Sequence, residues 1–129
     1  MGWDAYAVGP DVDPRTSNDE FLTPALQEVF RRASQELAGI VGSGSDNLGT
    51  GTLGGLSAGI FTRASGISDY DESSEDGCLL WSPDTVSRAY QQAQWDFALE
   101  DDEDSFLKTE ARLFLKTCAS HGLAIWFSW

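Results

Sequence analysis

The chain has 129 residues, with 41% hydrophobic and 22% charged side chains, which suits one globular domain and leaves little room for a second. Twenty-one acidic residues against eight basic ones give a formal net charge of −13. That balance argues against direct binding to nucleic acid, which needs a basic footprint, and against attraction to an anionic membrane.

In chain order, Gly2 to Val8 reads as a strand, with Trp3, Ala5 and Ala7 alternating against Asp4, Tyr6 and Val8. Gly9-Pro10 ends it and Asp11 to Asn18 reads as a polar loop. Thr23 is a natural N-cap and Pro24 suits a first helical position. Leu26, Val29, Phe30, Ala33, Leu37 and Ile40 then recur at helical spacing, and Gly42 and Gly44 close the helix. Nine of the 13 glycines fall between Gly39 and Gly66, and about 42–55 reads as a Gly-rich loop. Leu53, Leu56, Ile60 and Phe61 anchor either a short helical turn or an irregular buried segment.

The stretch of about 68–77 reads as an acidic loop. Cys78 to Trp81 is a short apolar run, a strand or the lead into a helix. A second helix is capped by Ser82, starts at Pro83, has Asp84 at its positive end, and carries Val86, Ala89, Tyr90, Ala93 and Phe97 on one stripe. A second acidic loop, about 100–104, leads to a third helix from near Ser105. Its apolar side is Leu107, Ala111, Phe114, Leu115 and Cys118, and its wet side Lys108, Glu110, Arg112 and Lys116. Gly122 is placed to end it. Leu123 to Trp129 reads as a closing strand. The expected fold is α+β: about three helices on a small sheet in which the N- and C-terminal strands pair.

Two cysteines are fewer than a disulfide-stapled secreted domain usually carries, and Cys118 reads as a small core hydrophobe. The opening residues lack the basic and apolar regions of a signal peptide, and no apolar run reaches the roughly 20 residues needed to span a bilayer. The expected location is the cytoplasm.

Four patterns bear on chemistry. Gly49-Thr50-Gly51-Thr52-Leu53-Gly54 matches a dinucleotide-binding fingerprint in letters, but a helix and a polar loop precede it rather than a buried strand. His121, the single histidine, sits at a predicted helix C-terminus, where it serves the dipole more readily than catalysis. Two cysteines and one histidine without a Cys-x-x-Cys pair do not make a zinc site. The acidic runs are the dominant feature: Asp69, Asp71, Glu72, Glu75 and Asp76, then Asp96, Glu100, Asp101, Asp102, Glu103 and Asp104. Neither run has the glycine and bidentate glutamate of an EF-hand. They read as solvated loops or as a docking surface for a basic protein. Trp81 and Trp95 lie near them in sequence. Trp95 is either core or an aromatic anchor for a partner, while Trp3 and Trp126 read as core.

The Met1-Gly2-Trp3-Asp4 opening, the Leu80-Trp81-Ser82-Pro83-Asp84-Thr85-Val86 helix start and the closing Phe114-Leu115, Cys118, Gly122-Leu123 and Phe127-Ser128-Trp129 resemble the small acidic immunity proteins of bacterial toxin–immunity pairs. The resemblance covers the two ends better than the Gly-rich middle. It implies a non-enzymatic inhibitor, without cofactor or metal, that blocks a basic cognate toxin, often a nuclease. The expected contact residues are Asp69, Asp71, Glu72, Glu75, Asp76, Trp95, Glu100, Asp101, Asp102, Glu103 and Asp104. The protein is expected as a monomer or small homo-oligomer. The alternatives are a phage-type nucleic-acid mimic that inhibits a defence nuclease, and a small enzyme or ligand-binding domain using the Gly-rich loop and His121.

Overall fold

Alternation decides the first strand. In β1 (Asp4–Val8), Ala5 and Ala7 are buried while Asp4 is exposed and Tyr6 half-buried. The computed structural model describes residues 4–9, 22–42, 46–53, 60, 63–66, 74–75, 78–95 and 104–128. After β1 the elements are α1 (Pro24–Val41), α2 (Asp46–Gly49), β2 (Thr52–Leu53), β3 (Ser74–Glu75), β4 (Cys78–Trp81), α3 (Pro83–Gln92), α4 (Asp104–Ser120) and β5 (Ala124–Ser128).

The five strands form one antiparallel sheet in the order β2-β1-β5-β4-β3, and the fold is α+β. The first and last strands pair along their whole length, from Asp4 opposite Ser128 to Val8 opposite Ala124. One sheet face holds Leu53, Ala5, Ala7, Phe127, Ile125 and Trp81, all in the main hydrophobic cluster with residues of α1, α3 and α4. Trp81 and Phe127 meet edge to face, with ring centroids 5.0 Å apart. α4 packs against both α1 and α3, and Phe30 of α1 meets Phe114 of α4 at 5.9 Å.

The helix ends follow local chemistry. The Thr23 hydroxyl accepts from the Leu26 amide at 3.3 Å, and the Ser82 hydroxyl accepts from the Thr85 amide at 3.3 Å. Gly42 ends α1 with φ 86°. After α4, the Leu123 amide donates to the Cys118 carbonyl and the Gly122 amide to the Ala119 carbonyl, with Gly122 at φ 63°. This is the Schellman pattern, and it buries Leu123 at the start of β5.

Several expectations need correction. The Gly-rich stretch holds two short elements, α2 and edge strand β2. β3 lies inside the expected acidic loop. α3 stops at Gln92 rather than continuing to Phe97, because Ala93 is extended. The chain there is drawn elsewhere: the Gln94 amide donates to the Ala64 carbonyl, and the Gln92 side chain to the Ser65 carbonyl at 2.6 Å. Ile40, expected on the apolar stripe of α1, is 60% exposed. Glu110, expected on the wet side of α4, is buried. α4 lies between two helices, so a wide arc of it is covered.

No helix among the described residues is long and apolar enough to cross a membrane.

Candidate partner-binding surface

Among the described residues the nine elements are close to electrically balanced, with eight acidic and six basic residues, and Arg63 lies in a helical turn. The other 13 acidic residues, with Arg15, lie outside the described residues. Helices tolerate paired charge on their wet faces, and α1 shows it: Glu28 pairs with Arg31 and Arg32. The excess negative charge therefore belongs to the stretches of sequence outside the described residues.

Of the acidic positions singled out in the sequence, Asp69, Asp71, Glu72, Asp76, Glu100, Asp101, Asp102 and Glu103 lie outside the described residues. Glu75 is on edge strand β3, in register with Cys78. Asp104 opens α4. Register places Asp4, Ser128, Cys78 and Glu75 on one row across the sheet. Residues 121–123 alone join α4 to β5, so helix and strand run in opposite senses.

Trp95 follows the end of α3, half-buried and packed against the main core. Trp81 is fully buried, so nearness in sequence to the acidic run does not make it a surface residue.

The sheet face turned away from the helices adds residues that the sequence reading did not single out. Thr52, Tyr6, Trp126 and Leu80 are consecutive register partners across β2, β1, β5 and β4, and all four are half-buried. Trp126, expected in the core, belongs to this row, because Ile125 and Phe127 take the helix-facing positions. Beside the row stands exposed Asp4. Burial, and then the neighbouring Asp4 carboxylate, raise the Tyr6 phenol above its ordinary value of 10.0. At the other end of the same face, Val8 and Ala124 are buried yet stand outside the main cluster. This face is covered at its Val8 end and exposed at Asp4. Alternation in the sequence places Asp4, Tyr6 and Val8 on one side of β1, but it is the register that puts Trp126 on that side.

The glycine fingerprint is a corner. Gly49 ends α2 and β2 begins at Thr52, so the order is helix, turn, strand, the reverse of the dinucleotide motif. The Gly51 carbonyl accepts from the Ala7 amide at 2.9 Å, which ties the corner to β1. His121 is exposed, and its Nδ1 donates to the Thr117 carbonyl at 3.0 Å, a helix-terminal contact. Cys118 is a free, fully buried thiol, and burial pushes its pKa far above the ordinary value. A thiol so placed is inert as a nucleophile. Among the described residues no group of three or more His, Cys, Asp or Glu is placed to hold a metal ion.

No family model, curated protein or solved structure matches the chain.

Proposed function

We propose that the chain is a non-enzymatic acidic inhibitor, an immunity-type protein of the cytoplasm that binds a basic cognate toxin and blocks its cleft. The observation that carries this reading is the division of charge. The described elements are nearly balanced in charge, whereas the sequence outside the described residues holds 13 acidic residues and one basic one, Arg15. Concentrated negative charge speeds encounter with a positive surface and rejects acidic partners. The acidic run ending at Asp76 adjoins β3, and the run ending at Asp104 adjoins α4. A nuclease, whose cleft must hold phosphates, is the toxin class that suits such acidic runs. A stable complex should bury about 800 Å² on each partner.

The test is a tagged pull-down from the source cell's lysate with added nuclease, repeated with the Asp101→Lys/Asp102→Lys/Glu103→Lys triple variant. One basic protein should be recovered in near-equal amount and lost with the variant. Co-expression with the wild-type chain should relieve that protein's toxicity. A variant that retains the partner and the protection would overturn the reading.

A further inference from the structure

The helices carry cations that the fold leaves without a carboxylate. Six of the eight basic residues lie within elements, and all six are on helices. Arg31 and Arg32 pair with Glu28 on α1. Arg112 and Lys116 of α4, and Arg88 of α3 packed beside it, are exposed, and among the described residues none of the three forms an ion pair. Arg112 and Lys116 stand four residues apart, one turn along a single line of α4, because Ala111, Phe114, Leu115 and Cys118 take the buried side. Glu110, two residues before Arg112, is buried and does not share that line. The run Glu100-Asp101-Asp102-Glu103 leads directly into α4 at Asp104. The sequence is thus acidic ahead of α4, and the helix is basic along the exposed line of its second half.

We propose that this line of α4 is the docking surface for a second copy of the chain, with the acidic run 100–103 of each copy seated on Arg112 and Lys116 of the other. A helix preceded by acid and ending in base is self-complementary when two copies lie antiparallel, and a two-fold axis makes the same match twice. The net charge of −13 on each copy opposes the contact. Salt separates the two effects. At 0.15 M the Debye length is about 8 Å, so charges spread over the molecule are screened while pairs in contact keep more of their attraction. Exposed ion pairs contribute little each, so the association is weak, and it peaks at intermediate salt. The inference goes beyond the reading of the chain as an inhibitor and is tested without a toxin.

The experiment is sedimentation equilibrium of the full chain at about 0.02, 0.15 and 1 M salt, chosen to span the Debye lengths that matter. Self-association should be strongest at the middle concentration. Arg112→Glu/Lys116→Glu and Asp101→Lys/Asp102→Lys/Glu103→Lys should each weaken it by about tenfold. The first variant carries −17 and the second −7, since each reversal moves the charge by two units from −13. The second therefore repels its own copies less than the wild type does, and its dissociation reports lost local pairs rather than net charge. Mixed in equal amounts, the two variants should form a dimer again, because the reversed run then meets the reversed line. A chain monomeric at all three salt concentrations would overturn the proposal. So would a dimer that the −7 variant keeps, one that strengthens steadily with salt, or variants that fail to pair when mixed. A monomer whose Arg112 and Lys116 amide NMR signals shift with a hexa-glutamate peptide would overturn it in favour of a foreign acidic partner.

Discussion

Gly51 is the residue at which backbone and packing demands coincide. Its φ is 78°, and a Cβ there would stand 2.5 Å from Leu22 Cδ1, with Phe30 and Ala7 behind. Gly42 has a similar φ of 86° and nothing within 4 Å. Gly42→Ala should therefore lose only conformational energy, about 1 kcal/mol. Gly51→Ala should lose that and a further ~1–3 kcal/mol for overpacking. Urea denaturation of both variants gives the comparison, and equal losses would mean that Leu22 yields freely. Titration supplies a second check at this scale. The folded-state pKa of Tyr6 is raised, so its contribution to stability is complete below pH 10 and is lost as pH rises through the folded value. Asp4→Asn removes the carboxylate charge beside the phenol. An ultraviolet titration should then show one phenol ionising at lower pH than in the wild type. The sequence displayed the glycines but not which of them was confined. Confinement at Gly51 comes from Leu22, Phe30 and Ala7, all far away along the chain.

Helix starts were legible because their chemistry is local. Thr23-Pro24 and Ser82-Pro83 each place a hydroxyl acceptor one residue before a proline, and each begins its helix as read. Thr23→Ala and Ser82→Ala should each cost about 1 kcal/mol in chemical denaturation. Ser82→Ala is expected to cost the more, since the Ser82 hydroxyl also lies 3.1 Å from the Thr85 hydroxyl and Thr85 is buried. Equal losses would show that this second contact adds nothing. The pairing of first and last strands was legible for a related reason: each is short and apolar and needs a neighbour. What escaped reading is long-range. β2 is two residues held beside β1, and no periodicity reaches so short a piece. The end of α3 is set by contacts to residues 64 and 65, which lie almost thirty positions earlier. Trp126 went to the wrong side because a strand with aromatics at both parities does not declare its faces. The neighbours Ala5 and Ala7, small and buried on the partner strand, settle them.

At the scale of the molecule, the described elements bear little of the net charge and the sequence outside the described residues bears most of it. Like charges crowded into short segments repel at low ionic strength, and the Debye length of about 10 Å at 0.1 M salt sets where that repulsion fades. Two opposing trends follow from one cause. Added salt should stabilise the free fold, because it screens carboxylate against carboxylate. The same salt should weaken a complex with a basic partner, because it screens carboxylate against cation. The Asp101→Lys/Asp102→Lys/Glu103→Lys variant moves the net charge from −13 to −7, with each substitution contributing two units. It should melt higher than the wild type at 0.02 M salt, and the gap should close by about 0.5 M, where the Debye length is only a few ångströms. Scanning calorimetry across that range reads the effect without any partner. A gap that persisted at high salt would assign the gain to local contacts in the 100–104 segment rather than to the field of the whole molecule. A gap absent at low salt would mean that the acidic segments stand too far apart for their charges to act together. The proposed steering of a basic protein would then lose its electrostatic basis before any partner was in hand.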